Sequence, residues 1–248
     1  MILYFNADLW RINRRIPRIV AFVLYLVIGV ATIMVSSGQK SFNFIKLGDS
    51  MTTTLQILPV LLAAVNFYFV FEDDFQVKTM QAAIGRGIKR MQIILVKWCE
   101  MFVLSFLDCL ALLLVMCGTG FGKGVTLKGQ AVVHVAAQTC GTMLTIGVMT
   151  ALVMIVIFQI MQLGLTQLLF LILAIKPVSL IFSYQESVNE VMAKLQLSRF
   201  LIGSNLNAWE LSMETGRFDL WNFVVILVYW GIGIGASYLV FRKKELDF

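Results

Sequence analysis

An all-α membrane protein is the fold class that this sequence predicts, and three observations predict it. Charged residues make up 14% of the chain and hydrophobic residues 59%, with a mean hydropathy of +0.86. A soluble domain carries about 25% charged residues, so the deficit marks lipid as the solvent. Charge-free apolar stretches recur at lengths that suit a bilayer, whose ~30 Å core takes about 20 helical residues. The basic residues gather in alternate connecting segments, so the net charge of +6 reads as membrane topology and not as a nucleic-acid surface.

Taken in order, residues 1–15 place Tyr4, Phe5 and Trp10 beside Arg11, Arg14 and Arg15, the pattern of an amphipathic helix lying in the inner interface. Residues 16–36 form the first span. Val35-Ser36-Ser37-Gly38-Gln39-Lys40 after it is no small-x-small cleavage site, so a removed signal peptide is not expected. Residues 52–71 form the second span, with Pro59 as an expected kink. The loop 71–90 opens on Glu72-Asp73-Asp74 and continues with Met80, Ala83, Ile84 and Ile88 on one side of a short helix, with Lys78, Arg86, Lys89 and Arg90 elsewhere. Residues 91–117 form the third span, carrying Lys97 and Glu100 near one end and Asp108 deeper.

The stretch 130–175 contains no Asp, Glu, Lys or Arg. As one helix it would be about 69 Å long, roughly twice the hydrocarbon core, so it must be two antiparallel helices. These are placed at 130–158 and 161–182, with the turn where Gln159, Gln162 and Gly164 interrupt the apolar run. Beyond them, Val188, Val191, Met192 and Leu195 fall at i, i+3, i+4 and i+7, which predicts a short amphipathic helix on the outer leaflet between spans five and six. Residues 220–241 form the last span. Its Gly231, Gly233 and Gly235 give the spacing of close helix packing, within the subunit or between subunits.

The sum is one membrane domain over residues 1–248 with six transmembrane helices. Orientation follows from Lys and Arg. With the amino terminus inside, Arg11, Arg14, Arg15, Arg18, Lys78, Arg86, Lys89, Arg90, Lys97, Arg242, Lys243 and Lys244 are cytoplasmic, twelve of the 20. The short external loops hold only Lys40, Lys46, Lys123 and Lys128. Both ends are therefore expected in the cytoplasm.

Catalytic equipment is sparse. Gly118-Thr-Gly-Phe-Gly-Lys123-Gly resembles a phosphate loop but lacks its spacing, and it has Gly124 where a Ser or Thr would hold Mg²⁺. The single His134 cannot build a zinc site, and Cys99, Cys109, Cys117 and Cys140 lie in apolar runs as small hydrophobes. No metal site and no enzymatic activity are expected on this chain. Intramembrane charge carries more weight, because it is costly to keep. Asp108 and Lys176 count to similar depths in the outer half, where an ion pair would relieve the desolvation of both. The competing reading has Lys176, just before Pro177, snorkelling to the outer interface.

The loop from Glu72 to Lys97 resembles that between the second and third spans of ABC-2 type ABC transporter permeases. There an acidic cluster precedes a Thr, a short helix, an Arg and a Lys seven residues later. Asp74, Thr79, Arg90 and Lys97 match this order, whereas Lys78 stands where a Gly is usual. The amphipathic amino-terminal helix, the external segment between spans five and six and the basic carboxyl tail fit as well. The resemblance implies a permease subunit in the plasma membrane of a bacterium, paired with a second copy of itself and with two copies of an ATP-binding cassette subunit. ATP and Mg²⁺ would sit on that ATPase, with no cofactor on this chain. Residues Glu72, Asp73, Asp74, Thr79, Met80, Ile84, Arg90 and Lys97 would form the ATPase-coupling loop. Small permeases of this type resemble exporters of amphipathic toxin and antimicrobial peptides, including lantibiotic-immunity and phenol-soluble-modulin exporters. The largely apolar spans, where Gln56, Asn66 and Gln167 are scattered, suit such cargo entering from membrane lipid. Export of a lipid or hydrophobic antibiotic is the near alternative; an integral membrane enzyme or a secondary transporter is the alternative of another class.

Overall fold

The computed structural model describes residues 2–38, 42–76, 79–174, 184, 197–215 and 220–243. Among these residues the chain is all-helical, in the order α1 (Ile2–Asn13), α2 (Ile16–Ser37), α3 (Phe44–Gln76), α4 (Thr79–Gly85), α5 (Arg90–Gly122), α6 (Gln130–Ile160), α7 (Leu163–Ala174), a 3₁₀ turn (Leu197–Phe200), α8 (Ile202–Thr215) and α9 (Leu220–Lys243). Five of these (α2, α3, α5, α6 and α9) are long and apolar enough to cross a membrane, the mark of a multi-pass membrane protein. The apolar α7 is shorter over its described residues.

Helix ends follow local chemistry. Pro17 sits in the first turn of α2, where a missing N–H costs nothing, and separates α2 from α1. Helix α3 starts at Phe44, eight residues before the span read from hydropathy, because the side chain of Asn43 accepts the N–H of Lys46 at 3.1 Å and caps it. Helix α4 is shorter than the loop pattern predicts. Gly87 adopts φ +88°, its N–H bonds to Ile84 and that of Ile88 bonds back to Ala83, a Schellman closure that leaves Ile88 outside the helix. Helix α6 ends in the turn expected between residues 158 and 164: Met161 is left-handed at φ 57° and its N–H caps Ile157.

Pro59 lies inside α3, where it leaves the carbonyl of Leu55 without its helical donor. The hydroxyl of Thr142 on α6 reaches that carbonyl at 3.0 Å, sharing its proton with the carbonyl of Gln138 in its own helix at 2.8 Å. The proline thus becomes a polar joint between two helices, satisfying a backbone group that lipid would leave stranded.

Phe158 on α6 stacks on Phe241 of α9 and meets Phe71 of α3 edge-on, while Arg90 at the start of α5 donates to the carbonyls of Phe241 and Arg242. These elements share one end of the bundle, and α1 lies there too, through contacts described below. At the opposite end Leu47 of α3 meets Gly120 of α5, and Gly48 meets Ala131 of α6. Along the α6–α9 seam, Trp230 faces Gly147 and Gly233 faces Ala151, so these two helices run parallel. A Cβ on Gly233 would lie 2.8 Å from the backbone of Ala151, whereas one on Gly231 or Gly235 would meet nothing. The close packing within the subunit therefore rests on Gly233, and the Gly231/Gly235 pair faces away from it.

The amphipathic helix expected around Val188, Val191, Met192 and Leu195 lies outside the described residues.

Candidate functional site

At the α1 end of the bundle an ionic cluster ties together α1, the end of α3, α4 and α5. Its centre is Lys97, two turns into α5, with no solvent-accessible surface. Its ammonium bonds to Asp8 of α1, lies 2.7 Å from Asp74 of α3 and 3.4 Å from Glu100 one turn on, and donates to the carbonyl of Val70 at 2.9 Å. A buried lysine persists only where such partners replace its hydration. Around this centre Arg11 bridges Asp8 and Asp73, the latter at 2.8 Å, and Arg15 grips Glu72 and Asp73 together. Asp74 completes its shell by accepting the hydroxyl of Thr79 at 2.5 Å, which fixes the first residue of α4 to the last turn of α3.

Burial works against the charge of Arg15, but the Asp73 and Glu72 carboxylates outweigh it and hold the guanidinium above its ordinary range. Burial also raises the phenol of Tyr4 well above its ordinary value, against the lowering effect of Lys97, whose ammonium sits 5.9 Å from the ring centre. The Tyr4 hydroxyl is buried without a hydrogen-bond acceptor or donor beside it.

A second layer lies deeper. Arg18 on the first turn of α2 meets Asp108 of α5 at 3.2 Å and donates to Asn66 of α3 at 3.2 Å, and it bonds to Asn13. Asn66 in turn donates to Asp108 at 2.6 Å, and the hydroxyl of Tyr25 donates to the Asp108 backbone carbonyl at 3.3 Å. The carboxylate of Asp108 is thus held by a cation and an amide from two other helices.

Of the residues predicted from sequence, Glu72, Asp73, Asp74, Thr79 and Lys97 come together here. Arg90 does not: it joins the start of α5 to the end of α9, donating to Phe241 at 2.6 Å and Arg242 at 2.8 Å. Met80 is 3% exposed and turns into the core with Ala83, and Ile84 is half-buried. Among the described residues of the loop the outward surface is instead Ala82, Gly85, Arg86, Gly87 and Lys89. Lys176 lies outside the described residues. Asp108 is nearer the α1 end than its expected place in the outer half. Helix α5 starts at Arg90 and spends its first turns beside α1 and the end of α3, so counting from the helix start overstates depth.

Asp8, Arg18, Asn66 and Glu100 carry the cluster without having been assigned a part in it. A signal existed for two of them. Asp8, Arg11, Arg15 and Arg18 recur every three to four residues, which puts their charges on one side of consecutive helical turns.

No protein-family model matches this chain, and no curated protein matches it significantly.

Proposed function

We propose that this chain is the membrane-spanning permease subunit of an ATP-driven exporter, taking its energy from a separate ATPase that docks on the loop between α3 and α5. The observation that carries the reading is the double anchoring of that loop. Asp73 ties its start to α1 through Arg11, and Glu72 and Asp73 tie it to Arg15 at the cap of α2, while Asp74 ties it both to α4 through Thr79 and to the buried Lys97 of α5. A push on α4 therefore passes to α5 through a charge contact sealed from water, as a two-state device driven from outside requires. The exposed Arg86 gives an acidic docking surface something to read.

Six crossings with both ends in the cytoplasm remain the topology that fits this role. Helix α6 ends where α1 lies and α9 runs parallel to α6, which supports one further crossing between them, for which the apolar α7 is the candidate. Two such chains with two ATPases make the working unit. Amphipathic peptide is the favoured cargo. The outward face of α2 supports an apolar entry route, with a shallow groove of about 360 Å³ formed by Val23, Leu26, Val27, Val30 and Ala31. Such a groove also admits lipid, which keeps a lipid or hydrophobic antibiotic as the near alternative.

The deciding experiment is copurification of the tagged full chain from its host's membranes. An ATP-binding cassette protein should come with it, and Arg86→Glu should weaken that association while leaving the chain folded. Recovery of the chain free of any ATPase, with no ATP turnover dependent on it in proteoliposomes, would sink the proposal.

A further inference from the structure

Beside the ionic cluster but separate from it, a recess of about 420 Å³ opens where the turn after α4 meets the last turns of α9. Its apolar wall comes from Ile84, Ile88 and Met91. Its polar groups are Lys89, Arg90, Arg242 and the phenol-bearing Tyr238, and no carboxylate is among the described residues that line it. The guanidinium of Arg90 is fixed by the two carbonyls at the end of α9 and lies 5.4 Å from the centre of the Phe241 ring, so this charge does not swing away. Lys89 and Arg242 are exposed at the rim. Helix α5 also begins here, and its amino-terminal dipole adds to the positive potential.

The same face of α9 continues away from the recess as Arg242, Tyr238, Gly235 and Gly231, successive at three to four residues. A Cβ on either glycine would meet nothing within 4 Å, so a smooth strip of helix leads from the cationic recess along a membrane-length helix. Cations with a tyrosine at the end of a span, an apolar wall and a flat strip beyond together match one amphiphile, a phosphate headgroup with an acyl chain.

We propose that this recess binds an anionic phospholipid, its phosphate held by Lys89, Arg90 and Arg242 and one acyl chain laid along Gly235 and Gly231. The site needs no ATPase, so it stands or falls apart from the transport reading.

The test uses the full chain in nanodiscs of equal parts phosphatidylglycerol and phosphatidylcholine, with retained lipid counted by native mass spectrometry after release. The wild type should retain phosphatidylglycerol over phosphatidylcholine on the order of tenfold, as two or three cations at the headgroup allow. The double variant K89Q/R242Q should lose that preference, whereas K123Q/K128Q, at the opposite end of the bundle, should keep it. Inorganic phosphate added at millimolar concentration should not displace the lipid; displacement would make free phosphate the ligand and overturn the assignment. Equal preference in K89Q/R242Q and wild type would overturn it too. Should that variant fail to fold, a phosphatidylglycerol with a photoreactive headgroup must label the wild type within residues 84–91 or 238–242, and labelling confined to other segments rejects the site.

Discussion

Lys97 shows at the scale of one residue why the acidic loop is ordered. Its ammonium has no contact with water and three carboxylates crowd it, so each charge depends on the rest. Lys97→Met should therefore destabilise the protein by about 3–5 kcal/mol, since Asp8, Asp74 and Glu100 lose their shared cation in a buried place. Thermal unfolding in detergent reads this directly, and a midpoint unchanged from wild type would contradict the geometry. Tyr4 gives the opposite sign. Its phenol is kept neutral by burial, so its contribution is complete below the ordinary tyrosine value near 10 and is lost as pH rises past it and the unfolded chain ionises. Tyr4→Phe should unfold less readily than wild type at alkaline pH and no more readily at pH 7, because the hydroxyl it removes is buried without a partner.

Between elements the deciding features are joints where backbone meets backbone or side chain. Thr142 supplies the donor that Pro59 removes from Leu55, so Thr142→Val should cost about 1 kcal/mol, measured against a control such as Thr139→Val, whose hydroxyl bonds only within its own helix to Val135. The α6–α9 seam gives a sharper contrast. Gly233→Ala should destabilise by about 1–3 kcal/mol because the new methyl meets the Ala151 backbone, while Gly235→Ala should be neutral. Equal effects at both glycines would refute the packing described. This seam also marks how far the sequence could be read. The apolar runs located α2, α3, α5, α6 and α9 and the break after Ile160, because length and charge exclusion are properties of single segments. That Gly233 and not the Gly231/Gly235 pair packs on a neighbour depends on rotation about the helix axis, which composition does not encode. The same limit hid the place of Asp108, for its partner Arg18 belongs to the first turn of another helix, and the spacing of charges within α5 says nothing of it.

For the molecule as a whole, the gathering of α1, the loop after α3 and the end of α9 at one pole, combined with the proposed orientation, says what labelling should find. Cysteine placed at Lys243 should react with an impermeant reagent only from the cytoplasmic side, and cysteine placed at Lys123 only from outside; reaction of both from one side would remove the proposed topology. The acidic residues could be recognised in sequence as a cluster, and Arg11, Arg14 and Arg15 as a basic run, because each is compact in the chain; that Arg11 and Arg15 pair with the cluster depends on tertiary packing. The contribution of Asp8 was legible only as a helical spacing, and that of Glu100 not at all, since a carboxylate beside a lysine on the same helix face has many other uses.

The ionic cluster has one more consequence, for the order in which the chain is assembled. All its members, from Asp8 and Arg11 through Asn66 and Asp74 to Lys97 and Asp108, lie within the first 108 residues. During synthesis this polar knot can close as soon as α5 has left the ribosome, before α6 to α9 exist. The first half thus acquires a fixed arrangement early, and the parallel seam between α6 and α9 can form only when the last helix is made. The seam with α6 thus waits for α9, and chains cut short before Leu220 should already have these charges paired.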